Sequence, residues 1–284
     1  MVTLHEVYAY HPDAYPRAYI TGLFPVRMVK LLIYDMTHPL IRMERAHRKK
    51  QFYAHRLLVH AGYHTRILAS QGIDAERVRV EPHPVPEHIS VRKKRHFTTH
   101  TPVTLGTVGF INPHYDYELL FGALSRLRIP WRFVWIGGLR RAQQDRSLYR
   151  WLHARIARLR VAHKFTITGW VDTRTRNELL GTLDIALMLF RVRSSSGSLA
   201  TAIGARKYIV TTRLPLVWDI TMRHPLAVVS AAAPEAVAES ITAIVRDAGL
   251  RRQLRNALDA YNSAYSYPQC AARLMDHYHE VGRV

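Results

Sequence analysis

Cysteine is almost absent from this chain: Cys270 is the single one among 284 residues. A lone cysteine excludes an intrachain disulfide and a cysteine-based zinc site, and it fits a reducing compartment. No apolar run approaches the roughly 18–20 residues needed to span a bilayer. The longest clear run, Ile185–Phe190, is strand-sized. The start, Met1–Tyr10, has no basic segment followed by an apolar one, so no signal peptide is expected. No set of histidines and carboxylates has metal-ligand spacing, and tandem repeats and low-complexity tracts are missing. These absences point to a cytoplasmic protein, soluble or peripheral to a membrane. Hydrophobic residues at 48% are enough for a buried core, so stability does not require cross-links.

Acidic residues are scarce as well. Asp and Glu number 21 against 41 Lys and Arg, a net charge of +20. A field of that size attracts phosphate polymers, anionic membranes and acidic ligands. The charge is patchy: Arg45, Arg48, Lys49 and Lys50 form one cluster, and Arg92, Lys93, Lys94 and Arg95 another. Arg126, Arg128, Arg132, Arg140 and Arg141 form a looser third. Any one run reads equally as a solvated face. The total excess predicts an anionic partner, either nucleic acid or an anionic membrane surface.

From residue 56 the chain alternates between strand and helix patterns. Arg56–Ala61 reads as a strand, His64–Ser70 as a helix stopped by Gly72, and Val78–His83 as a strand. The polar, basic stretch Glu87–Pro102 lacks apolar periodicity and reads as a linker. A second series follows. Strands are expected at Val103–Phe110, Arg132–Ile136, Phe165–Gly169, Ile185–Phe190, Tyr208–Thr212 and Leu226–Ser230. Helices are expected at Tyr117–Leu127, Gln143–Arg160, Arg174–Leu183, Ser198–Ala205, Glu235–Arg246, Arg251–Tyr261 and Pro268–His279. Apolar strands alternating with helices predict a parallel sheet covered on both faces. Ligands of such sheets bind beyond the carboxyl ends of the strands, so the loops after Phe110, Ile136, Gly169 and Phe190 are the places to search.

Those loops carry a family likeness. Gly109–Pro113 leads into Tyr117–Leu120 and then Ala123-Leu124; Phe133–Ile136 ends in the pair Gly137-Gly138. Thr168–Val171, Glu178–Leu180 and Asp184–Leu187 follow the pattern G-(W/F)-V, E-L, A-D-(I/V). Ser196–Leu199 with Ala202–Ala205 matches a variant donor loop and helix, while Thr3–Glu6 and Val78–Val85 match strands upstream. In order and nearly throughout, the chain resembles the family 4 glycosyltransferases of GT-B fold. The resemblance implies an α/β protein with a Rossmann-like C-terminal domain at 103–284 that binds a nucleotide-sugar. It further implies a linker at 87–102 and a smaller, incomplete Rossmann-like N-terminal domain at 1–86, on the acceptor side. Several elements that precede Thr3–Glu6 in family members have no counterpart here. Neighbouring strands that would cover the N-terminal domain are then missing, and a dimer or a partner subunit is expected.

The activity implied is hexosyl transfer from a nucleotide diphosphate-sugar, with retention of configuration and with no cofactor or metal beyond the donor itself. A diphosphate leaving group gains charge in the transition state, so fixed cations and backbone N–H donors lower the barrier. The usual cations of the first loop are replaced: Phe110 or Asn112 stands near the arginine position and Tyr115 near the lysine position. Arg193 and Thr201 stand where the family has two glutamates, and Arg206 and Tyr208 where it has a glycine and a proline. Ser194, Ser195, Ser196, Gly197 and Ser198 precede an apolar helix whose N-terminus can receive phosphate, or they form an ordinary serine cap. Gly109, Asn112, Gly137, Gly138, Arg191, Arg193 and Thr201 complete the candidate donor site. His5, Glu6 and Arg193 are the candidates for direct work on the reacting groups; His83 and His114 also lie at strand ends. Two other readings remain open: a catalytically degenerate homologue acting as a subunit or scaffold, and a glycosyltransferase that modifies DNA.

Overall fold

A computed structural model of the chain describes residues 2–4, 55–86, 89, 97, 101–139, 146–191 and 196–282. The chain divides into two units, His83–Arg273 and a smaller one that joins Met1–Pro82 to Leu274–Val284.

In the smaller unit, β1 (Val2–Leu4), β2 (Leu57–Val59) and β3 (Val78–Val80) form a parallel sheet in that order. Helix α1 (Gly62–Ser70) returns the chain from β2 to β3, as a parallel pair requires. The turn after α1 passes through Gly72 at φ +83°, a left-handed conformation that glycine adopts without a β-carbon clash. Leu57, Val59, Leu68, Ile73 and Val78 pack together beneath it.

The larger unit holds a six-stranded parallel sheet in the order β6-β5-β4-β7-β8-β9. Its strands are β4 (Val103–Val108), β5 (Trp131–Ile136), β6 (Phe165–Ile167), β7 (Ile185–Met188), β8 (Tyr208–Thr212) and β9 (Val228–Ser230). All of β4, β7 and β8 is buried, as expected for strands with helices on both faces. The helices are α2 (Tyr117–Arg126), α3 (Arg146–Arg158), α4 (Thr173–Thr182), α5 (Gly197–Gly204), α6 (Pro215–Arg223), α7 (Pro234–Arg246), α8 (Ala248–Ala264) and α9 (Tyr267–Gly282). Helix α2 starts where Asp116 accepts a hydrogen bond from Leu119 N–H at 3.1 Å, and it buries Leu119, Leu120, Ala123 and Leu124. Strand order reverses at β4, between β5 and β7, which is the topological switch point where ligands of open α/β sheets bind.

Helix α6 lies between the strands expected at Tyr208–Thr212 and Leu226–Ser230 and is not among the expected elements; Pro215 sits in its first turn, where the missing N–H costs nothing. Within the stretch expected as a linker at 87–102, buried Ile89 and half-buried Phe97 pack on the core of the larger unit. Isolated apolar residues in a charged run are packing anchors here, and Arg251 lies over the Phe97 ring at 5.1 Å. Helix α9 does not stay within one unit: from Leu274 onward it counts with the smaller one. There Glu81 pairs with His277 at 3.2 Å, and Arg56 and Arg79 approach Glu280 at 3.7 and 3.9 Å.

Candidate functional site at the strand ends of the larger unit

Two strands of the larger sheet run directly into glycine, and a third reaches one a residue later. Gly109 follows β4, Gly137 follows β5, and Gly169 comes after β6 and Thr168, at φ +123°, +141° and +69°. The first two are held at close quarters. A β-carbon on Gly137 would fall 2.1 Å from the Gly109 carbonyl oxygen, and one on Gly109 would fall 2.4 Å from Ser198 Oγ. At Gly137 the obstacle is backbone, so space as well as backbone angle excludes a side chain; at Gly109 the backbone angle disfavours one and the Ser198 hydroxyl would have to turn away. Gly138 packs against the backbone of Gly169 and Trp170.

Hydrogen bonds stitch this rim together. Gly109 N–H donates to Ile136 O at 2.9 Å, Ile111 N–H to Gly138 O at 2.9 Å, and Gly137 N–H to Thr168 Oγ1 at 3.0 Å. The buried Trp135 indole donates to Gly109 O at 3.0 Å. The loop after β4 is wired internally as well. Asn112 Oδ1 accepts from His114 N–H at 2.9 Å, and Asn112 Nδ2 donates to Phe110 O at 3.0 Å, so this side chain shapes its own turn.

Helix α5 points its N-terminus at this rim, with Ser198 against Gly109. The Ser196 hydroxyl is spent as the cap, accepting from Leu199 N–H at 3.1 Å. Thr201 bonds back to Gly197 O at 2.8 Å. The N–H groups of Gly197 and Ser198 have no partner among the described residues, and Gly197 stands in open space. An anion set there would meet free amides and the positive end of the helix dipole.

The loops after β4 and β7 are bound to each other across the switch point. Asp116 N–H donates to Leu189 O at 2.7 Å, and Arg191 N–H to His114 O at 2.8 Å. The Arg191 guanidinium pairs with Asp116 Oδ1 at 3.2 Å, both groups partly exposed. This ties a cation to the rim. Tyr115, at the position read against a lysine, supplies none. It is buried, its hydroxyl donates to Leu187 O at 3.0 Å, and its ring packs on Tyr117, Trp135 and Phe190. Burial pushes its phenol far above the usual tyrosine range, so it stays neutral and inward.

An aromatic pair marks the outer rim. Phe110 and Trp170 meet edge to face at 5.1 Å, with Trp170 68% exposed and its indole bonded to Leu139 O at 2.9 Å. Sequence reading used Trp170 as a family marker and set Phe110 near the family's arginine position. Their exposure beside the glycines becomes visible once β4 and β6 are placed two strands apart. Arg193, Ser194 and Ser195 lie outside the described residues, as do His5, Glu6, the clusters Arg45–Lys50 and Arg92–Arg95, and Arg140 and Arg141. Among the described residues, no group of three or more His, Cys, Asp or Glu is placed to hold a metal, and no helix is long and apolar enough to cross a membrane.

Together these features define an α/β protein with a Rossmann-like parallel-sheet unit, a second smaller α/β unit, and a glycine-bearing strand edge at the switch point. The family model for "Glycosyl transferases group 1" matches residues 102–247, more than half of the chain, and the chain belongs to that family. Its fold is GT-B. The HepE protein of Anabaena, solved with UDP and glucose, superposes with a TM-score of 0.72 at 11% identity, covering 98% of this chain and 71% of that one. Sucrose-phosphate synthase from Thermosynechococcus elongatus gives 0.68 at 12% identity, covering 80% and 58%. A glycosyltransferase from Rickettsia africae gives 0.66 at 15%, covering 80% and 63%. No curated protein sequence matches the chain.

Proposed function

We propose that the protein transfers a hexosyl group from a nucleotide diphosphate-sugar to an acceptor hydroxyl, with retention of configuration. The observation that carries this reading is the glycine-lined edge at the switch point, where Gly137 leaves no room for a side chain, Gly109 takes a left-handed backbone and the free amides of α5 adjoin. The bond that breaks joins the anomeric carbon to a diphosphate oxygen. The bond that forms joins that carbon to the acceptor oxygen, whose proton is released. Charge growing on the diphosphate meets the first amides of α5 and the Arg191 guanidinium, with Arg193 as the second cation. Trp170, with Phe110 edge-on behind it, offers a face on which the nucleobase stacks. His5 and Glu6 are the candidates on the smaller unit.

Two neighbouring structures support the donor class: HepE has been solved with UDP and glucose and also with UDP-glucose. Calorimetry with UDP-, GDP- and ADP-sugars tests the reading, followed by assay of transfer. A nucleotide bound at Arg45–Lys50 rather than along Gly109–Pro113, Gly137-Gly138 and Ser194–Ser198 overturns it. The charge of +20 supports an anionic acceptor or partner, either DNA or a lipid-linked molecule at an anionic membrane.

One observation favours a second reading. Tyr115 is locked inward where the family places a cation, as expected of a homologue that no longer turns over and serves as a homo-oligomeric or partner-bound subunit. Finding no heat with any donor, together with a dimer or hetero-complex by light scattering, selects that reading.

A further inference from the structure

The stretch 146–164, helix α3 and the turn after it, carries six Lys and Arg and no Asp or Glu. Leu152 and Ile156 are buried in the core of the larger unit and hold α3 down. The opposite face is exposed. Arg146, Arg150 and His153 recur three and four residues apart and share one flank, while Trp151 and Arg158, seven apart, share the next. Arg155 pairs with Glu118 at 2.9 Å, and Lys164 lies over the Trp131 ring at 5.2 Å. For Arg146, Arg150, Arg158 and Arg160, no acidic partner occurs among the described residues. Within this face Trp151 is 39% exposed; its inner edge packs on Tyr117 and Phe121 at 5.8 and 6.4 Å between ring centres.

We propose that this face of α3 is a docking surface for an anionic lipid bilayer. Charge complementarity supplies the attraction. The indole gives the choice of partner: an amphipathic ring in the middle of a basic helical face sits at the boundary between headgroups and acyl chains. From Arg146 to Arg158 the helix runs about 18 Å, so its charges spread along the whole exposed face. Because Leu152 and Ile156 anchor α3 in the core, the helix stays on the protein and only its side chains reach the headgroups. The contact is therefore electrostatic, reversible and weakened by salt. This inference does not rest on the donor-site reading and stands or falls separately from it.

The test is sedimentation of the full chain with phosphatidylcholine vesicles, with and without phosphatidylglycerol. Binding is expected only to the anionic vesicles and is expected to vanish near 1 M salt. Each arginine near such a surface contributes about fivefold in partitioning, so Arg146→Gln, Arg150→Gln and Arg158→Gln together should lower it about a hundredfold. The corresponding triple lysine variant should bind like the wild type. Single glutamine variants, each expected at about fivefold, keep the test open if the triple variant does not fold. Equal binding to neutral vesicles, an unchanged partition coefficient in the glutamine variants, or loss of binding in the lysine variant overturns the proposal. So does a glutamine variant that loses affinity for a DNA duplex while keeping its affinity for vesicles.

Discussion

Both units are built on parallel sheets, yet their strands end in opposite kinds of residue. In the smaller unit, β2 is followed by His60 and β3 by Glu81. His60 Nδ1 lies 2.9 Å from the Glu81 carbonyl oxygen; a carbonyl only accepts, so Nδ1 carries the proton. The Glu81 carboxylate in turn meets His277. In the larger unit the corresponding positions after β4 and β5 are Gly109 and Gly137, and Gly169 lies one residue further on after β6. Ionisable strand ends can exchange protons and hydrogen bonds with a ligand. Glycine ends contribute no group of their own and bring backbone and a helix terminus close instead. One chain thus carries both kinds of edge.

The sharpest way to break this contrast is Gly137→Ala. Its β-carbon would meet the Gly109 carbonyl, a backbone atom, at 2.1 Å, and the residue would be held at φ +141°. We expect a loss of about 3–4 kcal/mol in chemical denaturation, together with loss of donor binding. Arg191→Ala comes next. Removing a charge-assisted contact costs about 1.5–3 kcal/mol, or roughly 10- to 100-fold in donor affinity by calorimetry. Arg193→Ala is expected to abolish donor binding while the fold persists.

A change at the other edge should behave differently. Glu81→Gln is expected to cost about 1 kcal/mol of stability, as its hydrogen bond to His277 becomes neutral, and to leave donor affinity unchanged. A large change in donor affinity would erase the distinction between the two edges. The smallest effect concerns a place where glycine is missing. Arg206, after α5, sits at φ +50°, where the family resemblance expects glycine. Its side chain pairs with Asp259 at 2.7 Å on the surface, a contact worth at most about 1 kcal/mol. Relief of the left-handed backbone is worth about 1–2 kcal/mol, so Arg206→Gly should stabilise the protein by about 0.5 kcal/mol and raise its unfolding midpoint by about 1–2 °C.

The larger unit was legible because its strands are nearly all apolar and its glycines fall right after them; Val103–Val108 and Gly137-Gly138 needed no partner to be recognised. Ser196 was legible as a cap from its place before an apolar helix. Relations across the sheet were not. Arg191 and Asp116 are 75 residues apart, and Trp135 reaches Gly109 across 26, so no local period signals either bond. The inward turn of Tyr115 was hidden for a similar reason, since the ring packs on residues from β5 and from the end of β7. Ile89 and Phe97 were lost in a charged run, because composition over a window averages away single anchors.

The split of helix α9 between the two units has a consequence for how the chain can be cut. The covalent path enters the larger unit at His83 and leaves it after Arg273, so the larger unit is an insertion within the smaller one. A single nick at the first crossing separates no unit from the other. It leaves the smaller unit assembled from two polypeptides, joined there by Glu81 with His277 and by Arg56 and Arg79 with Glu280. Releasing the larger unit takes a second cut, and that one falls inside helix α9 rather than in an exposed loop, where proteases cut most readily.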